Sequence, residues 1–300
     1  MNVNADDYFY DSTDGLRLYG RRYPAQGPAG VPVLCLPGLT RNSRDFAALA
    51  AHLCSRREVM ALDLRGRGRS AWDPDPTHYQ LPTYVGDVWS LIDSRALRRV
   101  VVVGTSLGAL IGLVMAAMKP DRIAGLVLND AGPEIDPKGL RRIAGYAGKL
   151  PAVSSWAEAA AQAKSVYGLA LPDLSDEAWL DYARCGYREN AAGVPTPDMD
   201  PKISQAFANP PTAPGNLWPM FAGIRGVPML VIRGALSDLL SAATVARMLR
   251  ENHEVEQLTV ANRGHTPLLD EPECLAAIDA FLARHGEISR PGDEGDAARR

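Results

Sequence analysis

Two hydrophobic rhythms alternate along the chain. Short runs apolar at every position give way to longer segments apolar at every third or fourth. The short runs are centred in VPVLCLPG (31–38), REVMALDL (57–64), RRVVVVGTS (98–106), RIAGLVLND (122–130) and VPMLVIRG (227–234), and the more polar EVEQLTV (254–260) reads as a further strand. A run apolar on both faces is the pattern of a strand covered on both sides, as in a parallel sheet. The longer segments between them read as amphipathic helices: 43–56, with Ser43 as a candidate N-cap, then 81–97, 107–119, 242–252 and 272–286. Two earlier strands are expected around DYFYDS (7–12) and LRLYGRRY (16–23), joined by a turn at Thr13-Asp14-Gly15. The expectation is an α/β fold with a mostly parallel eight-stranded sheet and helices on both faces.

The rhythm changes after Pro133. Helical segments at 137–150, 155–168 and 175–190 follow one another without a convincing strand. Seven prolines between Pro195 and Pro219 then mark an irregular return. Residues 133–220 are therefore expected to form a helical cap inserted into a core of 1–132 and 221–286. The polar stretch 287–300 is expected to fray as a flexible tail.

Composition narrows the chemistry by exclusion. Three hundred residues with net charge −3 and 46% hydrophobic content describe an ordinary globular chain and give no basic surface for nucleic acid. The start, MNVNADDYFY, lacks the basic region and apolar core of a signal peptide, and the longest apolar run, LGALIGLVMAAM, is too short to span a bilayer. A cytoplasmic protein with no membrane association is expected. Cys35, Cys54, Cys185 and Cys274 are scattered without a C-x-x-C pair, so reduced thiols are expected. The five histidines show no H-x-H or H-E-x-x-H pattern, and no metal or other cofactor is expected.

One stretch carries chemistry. VVVVGTSLGALIG (100–112) places Ser106 in G-x-S-x-G between a buried strand and an apolar helix. At such a turn the glycines two before and two after the serine crowd together, and the serine hydroxyl is lifted from the sheet. The next helix begins beneath it, where free N–H groups favour negative charge. A hydroxyl needs a base to attack, and His265, on a late loop in RGHTPLLDEPE, fits that role. His52, His78, His253 and His285 read as surface residues. Asp238, in RGALSDLLS after a late strand, is the preferred orienting carboxylate because it completes the order Ser…Asp…His. Asp130, ending the strand after the nucleophile helix, is the rival. Backbone N–H groups of Leu107 and Leu39 are the candidate oxyanion donors, with Pro37-Gly38 turning the second loop close. Arg41 beside that loop could bind an anionic group, although a solvated arginine is the plainer reading. Trp156, Trp179, Tyr182 and Trp218 are candidates for shaping an apolar pocket, with simple packing an equal alternative for each.

LPGLTRNSRDF, DLRGRGRS, GTSLG, LNDAGPE, RGALSD and GHTPLLDEP, in that order, resemble the α/β-hydrolase superfamily over the chain up to about Gly286. Within DLRGRGRS, structural roles are expected for Asp63, Arg65 and Arg69. Serine at 106 argues against the branches that use a carboxylate nucleophile, the epoxide hydrolases and haloalkane dehalogenases. Leu-Pro-Gly stands where many members have His-Gly, and Ala109 where a second glycine often follows. The resemblance implies a cofactor-free serine hydrolase acting on a small-molecule ester or lactone through an acyl-enzyme, in the manner of a carboxylesterase or enol-lactonase. It leaves open C–C bond hydrolysis of ring-cleavage diketones, perhydrolysis, and a ligand-binding receptor or scaffold without turnover. A homodimer is also left open.

Overall fold

A computed structural model of the protein describes residues 4–27, 29–207 and 216–286. The tail expected at 287–300 lies outside the described residues, as does part of the proline-rich return. An N-terminal hairpin, β1 (Asp6–Asp11) and β2 (Arg17–Tyr23), turns at Gly15, whose φ of +81° suits glycine. Then come β3 (Val33–Leu36), α1 (Ala47–Leu53), β4 (Val59–Asp63), α2 (Leu81–Ser94), β5 (Val100–Thr105), α3 (Leu107–Met118) and β6 (Ile123–Asn129). Helices α4 (Pro137–Tyr146), α5 (Trp156–Tyr167) and α6 (Asp176–Gly186) follow, then a short hairpin of β7 (Tyr187–Glu189) and β8 (Pro195–Pro197), then α7 (Trp218–Gly223). The chain returns to the sheet with β9 (Met229–Gly234), α8 (Ala242–Glu251), β10 (Val255–Val260) and α9 (Pro272–His285).

Eight strands form one sheet in the order β1-β2-β4-β3-β5-β6-β9-β10. β1 and β2 are antiparallel to their neighbours, and the other neighbours pair in parallel. The alternation of side chains along each strand splits the core in two. Leu34, Leu36, Val100, Val102, Leu126 and Leu128 pack on one face with residues of α2, α3 and α8. Val33, Cys35, Val101, Val103, Ala124 and Val127 pack on the other with residues of α1 and α9. The four consecutive valines of β5 thus divide between the faces. Burial of each contributes about 1.5–3 kcal/mol.

Two local expectations need correction. The helix expected over 175–190 stops at Gly186, and 187–189 is a strand. The stretch from 133 to 220 therefore does contain strands. Asn190 and Gly193 close the turn between β7 and β8, with Gly193 at φ +75°. Pro195 and Pro197 mask β8 in the sequence, yet a two-stranded ribbon leaves an edge on which a missing N–H does no harm. The cap of the 43–46 turn is Asn42, whose side chain accepts from the Arg44 N–H, and not Ser43.

Candidate active site

Ser106 stands between β5 and α3 with φ +53° and ψ −110°, a conformation that costs a non-glycine residue of order 1–3 kcal/mol. The flanking glycines make room for it. A Cβ on Gly104 would lie 2.3 Å from the Gly108 carbonyl carbon, and one on Gly108 would lie 2.0 Å from the Leu36 oxygen. The Ser106 N–H donates to the Asn129 carbonyl (2.9 Å), tying the turn to the end of β6.

His265 lies on the loop between β10 and α9 and is 7% exposed. Its Nε2 is 2.9 Å from Ser106 Oγ and its Nδ1 is 2.8 Å from Asp130 Oδ2. A carboxylate can only accept, so Nδ1 carries the hydrogen and Nε2 is left to accept from the serine. The carboxylate on the imidazole is therefore Asp130, and the preference for Asp238 is corrected. Asp130 directly follows β6, is fully buried, and has φ +54°. Its Oδ1 accepts from the Gly234 N–H (2.9 Å) and its Oδ2 also accepts from Ser237 Oγ (2.5 Å). The loop after β9 thus sends Ser237 inward and Asp238 outward. Asp238 is held by Arg142 of α4 through two bonds, Nε to Oδ2 (2.7 Å) and Nη2 to Oδ1 (2.8 Å). The Arg142 guanidinium keeps the Asp238 carboxyl below its ordinary range.

Leu107 is the first residue of α3, so its N–H has no partner four residues back within the helix. Gly38 brings the loop after β3 against the serine, since a Cβ there would lie 3.7 Å from the Ser106 Cβ. Leu39 and Ser106 border the same two cavities. The loop is held from behind by Arg67, which is fully buried and donates from Nε to the Leu39 carbonyl (2.8 Å) and from Nη1 to Tyr84 Oη (2.8 Å). Its neighbours Asp63 and Arg65 make structural contacts. Asp63 accepts from the Ser43 and Arg69 N–H groups, and Arg65 binds Asp14, Asp73 and Asp87. Asp14, Asp73 and His78 offer ligand atoms within 4.8 Å of one another, but both carboxylates are already bound by Arg65.

Ser106 lies at the junction of the two cavities. The larger, about 400 Å³, is bordered by Thr40, Arg41, Tyr146, Tyr167, Tyr182 and His265 among others. The smaller, about 90 Å³, is apolar and bordered by Leu81, Leu110, Ile135, Leu140 and Ile143. Of the aromatic candidates only Tyr182 borders a cavity beside Ser106. Trp179 is buried in the small core of α5 and α6, edge-on to Tyr182. Trp156 donates to Glu189, and Trp218 donates to Glu134 and packs on Phe221 and Arg247. Arg41 does reach the larger cavity, but its Nε and Nη2 bind both oxygens of Asp45 (2.7 and 2.6 Å) and its head lies over the Tyr182 ring. The solvated arginine is thus corrected: the side chain is 11% exposed and already has a carboxylate partner.

Tyr146 and Tyr167, absent from the sequence reading, stand edge-to-face, and Tyr167 Oη is 3.1 Å from Thr40 Oγ1. Nothing in the helical pattern of α4 and α5 distinguishes these tyrosines from packing residues. Ser237 was adjacent to the expected acid and Arg67 sat inside DLRGRGRS. Their roles depend on which way two loops turn.

The serine, histidine and aspartate thus form one chain of hydrogen bonds on the end of a doubly covered sheet. The family model described as the alpha/beta hydrolase family matches residues 33–278. The chain belongs to the α/β-hydrolase family. It is 34% identical to a 3-hydroxybutyrate-oligomer hydrolase of Cupriavidus necator, over 85% of this chain and 89% of the relative. It is 30% identical to a 2-(acetamidomethylene)succinate hydrolase of Mesorhizobium japonicum, over 85% and 88%. A crystal structure of an alpha/beta hydrolase from Novosphingobium aromaticivorans superimposes with a TM-score of 0.89 at 41% identity, covering 95% of this chain and all of that one. This α/β-hydrolase is an enzyme, and its reaction class is hydrolysis. Among the described residues, no helix is long and apolar enough to cross a membrane.

Proposed function

We propose that this α/β-hydrolase is a serine hydrolase that cleaves a carboxylic ester with a short acyl group. The observation that carries the reading is the bonded chain Ser106–His265–Asp130, with its serine on a strained turn between two cavities. Ser106 Oγ attacks the ester carbonyl while His265 Nε2 takes its proton. Asp130 holds the Nδ1–H and balances the charge that develops on the ring. The N–H groups of Leu39 and Leu107 are the donors for the oxyanion. Collapse breaks the bond to the leaving alcohol, which receives the proton from Nε2. Water then attacks the acyl-enzyme, gives a proton to the same nitrogen, and frees the acid and Ser106.

The cavity sizes support one allocation of the two halves of the ester. The 90 Å³ apolar cavity suits a short acyl chain, and the 400 Å³ cavity suits the alcohol. The similarity to a 3-hydroxybutyrate-oligomer hydrolase supports an ester between hydroxy acids, whose acyl units are short. Binding of Arg41 by Asp45 weakens the reading of that residue as a site for an anionic substrate group.

Turnover of p-nitrophenyl acetate and butyrate tests the proposal, together with labelling of Ser106 by a fluorophosphonate. Both are expected, with turnover falling for octanoate and longer acyl chains. A folded protein that neither turns over these esters nor takes the label at Ser106 sinks it.

A further inference from the structure

The wall of the larger cavity that carries Thr40, Arg41, Tyr146 and Tyr167 is also a wall of a second chamber of about 350 Å³. The second chamber runs between the α4 and α5 tyrosines and the β7–β8 hairpin, and Trp72, Tyr187, Arg188 and Met199 border it. Trp72 and Arg188 in turn border an outer surface hollow, which Arg44, Arg69 and Asp198 complete. The two chambers thus stand on either side of one wall, made by Thr40, Arg41, Tyr146 and Tyr167, and beyond the second lies a surface with three arginines and one aspartate. The first chamber alone is of a size to hold a small alcohol group, so the second has no part in a short ester.

The far end has the marks of a place for an anionic chain end. Trp72 is a large apolar side chain left 44% exposed, and the Arg188 guanidinium lies 5.5 Å from the centre of its ring. Arg188 is 48% exposed and meets Asp198 only at 3.5 Å. By contrast Arg44 is bonded to Asp198 at 2.6 Å and Arg69 is paired with Asp7. Arg188 is therefore the arginine of this hollow least committed to a carboxylate of its own chain. Thr40 Oγ1 and Tyr167 Oη bond to one another (3.1 Å), which leaves one O–H of the pair to donate to an ester carbonyl.

We infer that the second chamber is a distal subsite for a linear oligoester of hydroxy acids, whose terminal carboxylate is met by Arg188 beside Trp72. The inference rests on the ester-hydrolase reading and extends it to the alcohol side of the substrate. The direction is chemically consistent: in such an oligomer the acyl side of each ester leads to the hydroxyl end, and the alcohol side leads to the carboxylate end. The short apolar cavity then takes the unit that becomes the acyl-enzyme, and the remainder of the chain crosses into the second chamber.

The test compares 3-hydroxybutyrate dimer, trimer and tetramer, each as the free acid and as the methyl ester, with p-nitrophenyl butyrate as a substrate too short to leave the first chamber. Each variant's kcat/KM is expressed relative to its own value on p-nitrophenyl butyrate. For the wild type, kcat/KM is expected to rise with chain length, and free acids are expected to be preferred over methyl esters by several-fold. Arg188→Glu is expected to lower the free-acid preference about tenfold, mostly through KM, and Arg188→Lys to retain part of it. Trp72→Ala is expected to flatten the chain-length dependence for acids and methyl esters alike. No gain with length, or an Arg188→Glu effect equal on acids and methyl esters, overturns the subsite. If the wild type does not cleave p-nitrophenyl butyrate and Ser106 takes no label, it is the underlying hydrolase reading that fails.

Discussion

Replacing each of the two aspartates near His265 with asparagine separates their roles. Asp130 is fully buried and accepts from three donors: the Gly234 N–H, Ser237 Oγ and His265 Nδ1. Asparagine can keep the bond from Gly234 with its oxygen, but its amide then presents hydrogens to Ser237 and His265. The ring must turn its unprotonated nitrogen toward that amide, which puts the hydrogen on Nε2, and Nε2 can no longer take a proton from Ser106. In a comparable serine hydrolase site this change of tautomer costs about 10⁴ in kcat. That corresponds to about 5.4 kcal/mol at 1.36 kcal/mol per factor of ten. Asp238→Asn instead weakens a bidentate pair with Arg142 whose side chains are 23% and 29% exposed. Such a pair contributes about 1 kcal/mol or less to stability and nothing direct to proton transfer. The assay is kcat/KM on p-nitrophenyl butyrate, corrected for folded protein by a melting curve. Asp130→Asn is expected to lose three to four orders of magnitude and Asp238→Asn less than tenfold. The reverse ranking, with both variants folded, refutes the assignment of Asp130.

Three further outcomes are expected. Ser106→Ala should remove turnover and fluorophosphonate labelling while leaving Tm within a few degrees, because alanine inherits the same backbone strain and loses only the bond to His265. A large fall in Tm with activity retained contradicts the nucleophile. Gly108→Ala should destabilise by about 3 kcal/mol or fail to fold, since its Cβ meets backbone. Gly86→Ala in α2, with open space around the new methyl, should stabilise by about 0.4–1 kcal/mol in urea titration, and equal effects at the two sites would contradict the crowding argument. The third outcome concerns pH. Because the folded Asp238 carboxyl is held below its ordinary value of 3.8, its pairing stabilises fully above that value and fades as pH falls through the lower folded one. Asp238→Asn should therefore be less stable than wild type at neutral pH, with the gap in urea midpoint closing on acidification; a widening gap speaks against the pair.

The sheet, its two-sided cover and the strained turn at Ser106 were legible in the sequence because each depends on neighbours in the chain. Four consecutive valines can only be buried on both faces, and G-x-S-x-G states its own steric requirement at Gly104 and Gly108. His265 was legible as well, being a histidine on a late loop after a glycine. The carboxylate was not. Asp130 and Asp238 both follow strands of the sheet, and the distance along the chain does not say which way either loop turns. That was decided by contacts distant in sequence: Arg142 of α4 draws Asp238 outward, while Ser237 and Gly234 complete the shell of Asp130. The pocket residues follow the same division. Large aromatics such as Trp179 and Trp218 stood out by composition, yet packing consumed them. Tyr146 and Tyr167 border the cavities only because the C-terminal ends of α4 and α5 are brought together there. Local sterics and burial are written in the order of residues, whereas the choice between equivalent loops is made by what each meets when the chain closes.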